Sequence, residues 1–349
     1  NGGQGSPFGS FSRAVSALKP DDLLYIRSSS APWNDSFFNT IPTGVSWSHP
    51  ITISAFPGDA PLVIMPLGAE RVVHLQDGKC FIIFNGLIMD ASQCNRDVVK
   101  ITYGSDPATS AHHTRWINCE ARGAKVDYQG WLEGEIGYSE WINCKAHHNG
   151  GPNQNSGDHG MYLTGHDNLV QGGEFYANAA YGIQIQSSAS ARNARILGVH
   201  SHHNLNGGIV ISVSGDSAVV ANCLVHDNAN VGIQNYSNPS NGQVLFNTLY
   251  NNAGRDIDFS HHSDSQGLVV RNTIAGQFIP PPSASVIQDH NLLGVDPNTL
   301  FVNPFAGDFR LKASAVAALS KGIAIAGYAT DFAGHVRKAM PDIGAYEFV

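Results

Sequence analysis

The chain has 349 residues, 42% of them hydrophobic and only 14% charged, with 37 glycines and a formal net charge of −8. This composition supplies a long apolar core and argues against a general basic surface for nucleic acid. No apolar run approaches the roughly 18 residues of a membrane span, so neither a bilayer span nor nucleic-acid binding is expected.

Residues 1–21 read as an N-terminal cap. Ser10 is placed to cap a short helix whose apolar face is Phe11, Val15 and Leu18, and Pro20 stops it. Residues 22–27 then read as the first strand. Ile51-Thr52-Ile53, Leu62-Val63-Ile64 and Phe81-Ile82-Ile83-Phe84 follow as short strands of irregular early coils. Cys80 and Cys94 in this region are candidates for a disulfide. Cys119 and Cys144 instead lie in matching contexts, Trp116-Ile117-Asn118-Cys119 and Trp141-Ile142-Asn143-Cys144, and read as interior thiols stacked one coil apart; Asn222-Cys223 repeats the pair.

From about residue 112 to 276 a repeat dominates. Asn149, Asn178, Asn204, Asn228 and Asn252 are separated by 29, 26, 24 and 24 residues. Two positions before them stand His147, Tyr176, His202, His226 and Tyr250; after the last four come the strand-opening Ile183, Ile209, Ile233 and Ile257. Short strands and polar turns at such a period mark a β-solenoid. Asparagine suits its turns because it tolerates left-handed backbone and its amide can bond to the next amide in a ladder. The expectation is an all-β, single-domain parallel β-helix over residues 22–279. Past Pro280-Pro281-Pro282, residues 280–349 read as a loosely ordered C-terminal cap.

Three stretches resemble bacterial right-handed parallel β-helix proteins of the pectate-lyase-like superfamily. They are Gly5-Ser6-Pro7-Phe8 through Tyr25-Ile26-Arg27, Thr43-Gly44-Val45-Ser46-Trp47 with Ile51 through Gly58, and Asp331-Phe332-Ala333-Gly334 through Pro341-Asp342-Ile343-Gly344-Ala345-Tyr346-Glu347-Phe348. The resemblance implies a right-handed coil and a secreted or cell-envelope protein acting on polysaccharide. That group includes lyases, hydrolases and epimerases, so the activity must come from the site.

Aligned on their strands, the coils give three columns read as outward. They are Gly160, Gly182, Gly208, Gly232, Asp256; then Tyr162, Gln184, Val210, Gln234, Asp258; then Thr164, Gln186, Ser212, Tyr236, Ser260. The glycine column would leave a smooth strip for a flat ligand, with amides and hydroxyls beside it. One coil carries an insertion, residues 151–157, ending in Asp158-His159-Gly160-Met161-Tyr162, and solenoid insertions often build sites. His159 and Tyr162 offer acid–base groups, and Asp158 could orient the histidine or hold a hydroxyl. In the preceding coil Lys125, Asp127 and Gln129 are expected on a strand alternating with Val126 and Tyr128, with Arg122 nearby.

These residues fit β-elimination from a uronate: Lys125, Asp158, His159 and Tyr162 catalytic, and Arg122, Asp127, Gln184, Gln186, Gln234 and Tyr236 binding substrate. Hydrolysis through Asp127 and Asp158, epimerisation, and a non-catalytic carbohydrate-binding solenoid are the alternatives. Asp256, Asp258 and His261, beside His262, form a reserve cluster. The chain is expected to act as a monomer on polysaccharide without a cofactor. Stacked histidines lack the convergence zinc needs, and Asp127, Asp158, Glu133 and Glu135 lack the spacing of a calcium loop.

Overall fold

The computed structural model describes residues 2–101, 106–152, 157–186, 191–237, 239–253, 255–261, 266–282 and 286–349. Each coil uses three short strands separated by turns, and successive coils pair in parallel. The first sheet has eleven strands from Leu23–Ile26 to Val286–Asp289; the second has ten, from Leu62–Ile64 to Leu292–Leu293. The third also has ten, from Phe37–Phe38 to Phe278–Ile279. The coils come to about nine turns in a single domain.

Strand alternation produces the core. Met161 and Leu163, Ile183 and Ile185, and Ile209 and Ile211 point inward and are essentially fully buried. Ile183, Ile209, Ile233 and Ile257 pair in register, so the phased isoleucines form one continuous column. Trp116 pairs with Trp141, and Cys119, Cys144 and Cys223 are buried. All five cysteines are free thiols, so Cys80 and Cys94 are not bonded to each other. Burial pushes the Cys94 thiol up to about 11 and that of Cys223 to about 12.

The asparagines form a buried ladder between the second and third sheets. Each Nδ2 donates to the next Oδ1: Asn149 to Asn178 at 2.9 Å, Asn178 to Asn204 at 2.9 Å, Asn204 to Asn228 at 2.9 Å and Asn228 to Asn252 at 2.8 Å. The left-handed conformation falls one residue earlier than the sequence suggested, at His148, Ala177, His203, Asp227 and Asn251. Their tight backbone delivers the following asparagine side chain into the interior, where its amide satisfies turn N–H and C=O groups.

Ser10 caps the helix Phe11–Val15 by accepting from the Arg13 N–H at 3.4 Å; the helix ends before Leu18, which packs against the core. At the other end the coil continues past the three prolines, as Val286–Asp289 and Leu292–Leu293 show. The C-terminal segment is firmly packed rather than loose. Leu300, Phe301, Phe309, Leu311 and Ile343 pack with Leu224 and Ile274 on the outer face of the second sheet. Arg337 anchors it, donating to Glu347 at 3.1 Å and to Asn222 Oδ1 at 2.9 Å, with its guanidinium 4.0 Å from the Phe246 ring centroid.

Candidate functional site

The outer face of the third sheet presents one unbroken row. His74 pairs with Lys100, Lys100 with Leu132, Leu132 with Tyr162, Tyr162 with Gln184, Gln184 with Val210, Val210 with Gln234, and Gln234 with Asp258. The row is recessed: Gln184 and Gln234 are buried, while Lys100 and Tyr162 are half-buried. Turns that include residues 123–130 and 157–160 flank one side, and turns that include 134–139 and 164–168 flank the other.

Two members of this row carry chemistry that the sequence reading passed over. Burial lowers the Lys100 ammonium from its usual 10.5, and the Arg71 guanidinium adds to the effect. Burial, with Arg71 and Lys100 adding, pushes the neighbouring His74 down to about 4. The signal was present in Val73-His74-Leu75 and Val99-Lys100-Ile101, each a polar residue alternating with two buried ones. Arg71 is buried beneath them, with Nε 3.0 Å from Asp97 Oδ2.

The glycine column faces the other way from the expectation. A Cβ on Gly160, Gly182, Gly208 or Gly232 would lie 2.7–3.0 Å from the Nδ2 of Asn178, Asn204, Asn228 or Asn252. The glycines make room for the ladder rather than for a ligand. Asp256 ends that column as a cap, accepting from Asn252 Nδ2 at 2.7 Å and from the Gly276 N–H at 2.6 Å.

The insertion coil is partly outside the described residues, since 153–156 fall there. Asp158 is fully buried; its oxygens accept from the N–H of Asp127 at 2.6 Å and of Gly151 at 3.2 Å, tying two turns together. His159 is also buried, its ring stacked 5.6 Å from Tyr162 and 5.4 Å from Tyr181. Its Nδ1 accepts from the Tyr181 N–H at 3.3 Å. Tyr162 is the one residue of the trio on the outer row, and burial raises its phenol so that it stays protonated at neutral pH.

Lys125, Asp127 and Gln129 do not form a strand. Residues 126–127 turn, with Asp127 at φ 71°, because the backbone must round the corner before Trp131–Glu133. Lys125 is exposed at the rim and donates to Ser92 O at 2.8 Å, Asp127 is exposed and Gln129 buried. Arg122 belongs to the second sheet and is spent on Asp90 at 2.9 Å and Glu120 at 2.7 Å. The structure therefore brings Tyr162, Gln184 and Gln234 onto one row but leaves Arg122 on another face.

Farther along, Gln184 donates to Gln186, and Tyr236 is exposed against the ring of His261 at 5.1 Å. The register slips there, so Tyr236 pairs with His261 and not with Ser260. Asp258 is held by Arg255 at 3.2 Å and by Ser260 Oγ at 2.6 Å; His262 lies outside the described residues. A cavity where Tyr250, Asp256, Gln277 and Phe301 meet lies off this row, at the junction with the C-terminal segment.

Among the described residues, metal-ligand types converge in Glu174 with His200 and His202, and in His203 with His226 and Asp227. This departs from the reading that stacked histidines cannot converge. His200 and His202 share one strand face, and Glu174 joins them from the coil before. None of Asp127, Asp158, Glu133 or Glu135 takes part.

The class these observations define is the right-handed parallel β-helix. A family model described as the right handed beta helix region matches residues 135–279. The chain is similar in structure to pectate lyase Pel9A, with a TM-score of 0.71 and 16% identity, covering 100% of this chain and 95% of that one. It is also similar to a rhamnogalacturonan lyase, with a TM-score of 0.50 and 13% identity over 99% of this chain and 92% of the other. The A-module of the mannuronan C-5 epimerase AlgE4 from Azotobacter vinelandii matches at 0.47 and 14% identity, over 79% and 89% of the respective chains. No curated protein matches the sequence significantly. At these identities the likeness is one of fold.

Proposed function

We propose that this protein is a polysaccharide lyase that cleaves a uronate-containing glycan by β-elimination along the third sheet. The observation that supports it is the outer row itself, which sets one side chain per coil at a spacing of about 4.8 Å. A linear glycan lying along the helix axis would meet a base, a phenol and a series of amides in turn.

Lys100 is the proposed base. A lysine whose ammonium is destabilised sheds its proton at lower pH and becomes competent nearer neutrality. It takes the proton α to the substrate carboxylate. The electron pair forms the carbon–carbon double bond, the glycosidic carbon–oxygen bond breaks, and the leaving oxygen receives a proton from the Lys100 ammonium or from water. Arg71 and Arg96 act electrostatically on Lys100 but are paired with Asp97 and Glu70, so the negative charge that develops on the carboxylate is met by the Lys100 ammonium once it holds the proton. Tyr162, Gln184, Gln186, Gln234 and Tyr236 bind further saccharide units, and Lys125 and Asp127 contact the chain from the rim. His159 and Asp158 act as positioning residues, one stacking on Tyr162 and the other holding the rim turn. A polymeric substrate that cannot cross a membrane places the enzyme outside the cell or in its envelope, where it acts as a single chain.

Incubation with a panel of polyuronates tests the reading. Ultraviolet absorbance from an unsaturated uronate product is expected. Reducing ends without that absorbance would instead mark a hydrolase, and binding without products a carbohydrate-binding solenoid. Lys100→Met should lower turnover by a factor of about 10² or more with circular dichroism unchanged. Full activity in that variant would remove Lys100 from the role.

A further inference from the structure

We propose that Glu174, His200 and His202 form a binding site for a divalent transition-metal ion of the zinc class on the outer face of the second sheet. The strands Glu174–Tyr176 and His200–His202 pair with Glu174 opposite His200 and Tyr176 opposite His202. Phe175 and Ser201 take the inward positions and are fully buried, so Glu174, His200 and His202 share the outer face. Their ligand atoms all lie within 4.8 Å of one another. Glu174 Oε1 is 3.1 Å from His202 Nε2 and 3.9 Å from His200 Nδ1. Zinc–nitrogen and zinc–oxygen bonds of about 2.0–2.1 Å put tetrahedral ligand atoms ~3.3 Å apart, so a small rotation of His200 closes the set.

The hydrogen-bond network fixes which nitrogens are available. Asp227 can only accept, so the proton at its 2.7 Å contact with His226 Nδ1 belongs to the histidine. In the neutral ring that leaves His226 Nε2 an acceptor, and its 2.7 Å partner, His200 Nε2, is then the donor. His200 Nδ1 therefore turns a lone pair toward Glu174 Oε1, which also carries only lone pairs. That lone pair and Glu174 Oε1, 3.9 Å apart, are two donor atoms that one cation could bridge. Asp227 and His226 form the outer support that sets ring orientation and tautomer in protein metal sites. His202 differs: its Nε2–H donates to Glu174 Oε1 at 3.1 Å, and because its Nδ1 meets His203 Nδ1 at 2.7 Å, a change of tautomer would free Nε2 for the metal.

Lys145 sits 3.2 Å from the other oxygen of Glu174, Oε2, and leaves Oε1 to the ion. The side chains of Glu174, His200 and His202 are 30%, 28% and 14% exposed, so a fourth position opens to water. The ion would staple two successive coils, on a different sheet from the proposed glycan row. The site therefore stands or falls independently of the lyase reading.

Zinc added to chelator-treated protein should bind as a single equivalent and raise the thermal midpoint, because a ligand that binds only the folded state stabilises it. Glu174→Gln, His200→Ala and His202→Ala should abolish both effects while circular dichroism stays unchanged. Asp227→Asn, which leaves all three ligands in place, should weaken binding about 10–100-fold through the relay. No retained zinc and no thermal shift would overturn the proposal. So would binding that survives His200→Ala and His202→Ala but is lost in His203→Ala, which would put the ion at His203, His226 and Asp227.

Discussion

Each ladder asparagine does two jobs that no other residue type does at once. Asn204 Nδ2 donates to Asn228 Oδ1 at 2.9 Å and to Phe175 O at 3.0 Å, while its own Oδ1 accepts from Asn178 Nδ2 and N. Asn204→Ala strands several buried partners, at about 1–3 kcal/mol each, so a fall in stability of a few kcal/mol is expected by denaturant titration. Gly182→Ala should also destabilise, because its Cβ would meet Ser201 Oγ at 2.4 Å and the Gly208 carbonyl at 2.7 Å. Unchanged stability in both variants would mean that the ladder is not tightly packed.

Glu133 is the most perturbed carboxyl among these groups. It is fully buried in the interior, where the Gly165 N–H and Asn168 Nδ2 donate to Oε2, each at 2.9 Å. Burial still outweighs these bonds and pushes its pKa up to about 8 from an ordinary 4.5. The folded state thus binds the proton more tightly than the unfolded chain. Stability from this group is full below about pH 4.5 and is lost as pH rises through about 8. Glu133→Gln should flatten that decline in thermal midpoints measured across the window; an unchanged slope would place its cause elsewhere.

Among the elements, the strands of the first sheet show how packing protects chemistry. Trp116 stacks on Phe84 with ring centroids 4.1 Å apart, and its strand leads directly to Cys119 beneath the turn. Cys119, Cys144 and Cys223 should resist thiol labelling in the native state. Reductant should not change the thermal midpoint, because all five cysteines are free. Rapid labelling of Cys119 or Cys144 would show that these coils open. The turn after the second sheet is where the elements vary most. The four-residue turn 203–206 carries the ladder's Asn204 beside His203, whereas the longer one leading to Met161–Leu163 carries Asp158 and His159.

In the whole molecule, the C-terminal segment packs on the second sheet and not on the third. It covers the lower part of the second sheet and leaves the third sheet's row, the surface proposed above for the glycan, uncovered. Activity on that row should rise with pH through an apparent pKa below 10.5, because Lys100 must be unprotonated to act as base. A lyase activity that instead falls over that range, measured as the initial rate of absorbance gain, would assign the base to another group.

The repeat period, the phased isoleucines and the terminal segments determined the β-helix, its single domain and the pairing of Tyr162 with Gln184 and of Gln184 with Val210. They could do so because in a solenoid one period of sequence is one strand spacing, making neighbours along the axis readable from offsets. The direction of the glycine column was not readable in this way. Glycine has no side chain to betray its side of the strand, and only the ladder asparagines filling that space reveal it. Nor was the burial of Asp158 and His159, which depends on contacts with neighbouring turns: the Asp127 and Gly151 N–H groups donate to Asp158, and the Tyr181 N–H donates to His159. The Glu174–His200–His202 cluster likewise needed the tertiary structure. Convergence of ligand atoms depends on rotamers and on hydrogen bonds reaching from His200 to Asp227, and neither follows from the spacing of residues along the chain.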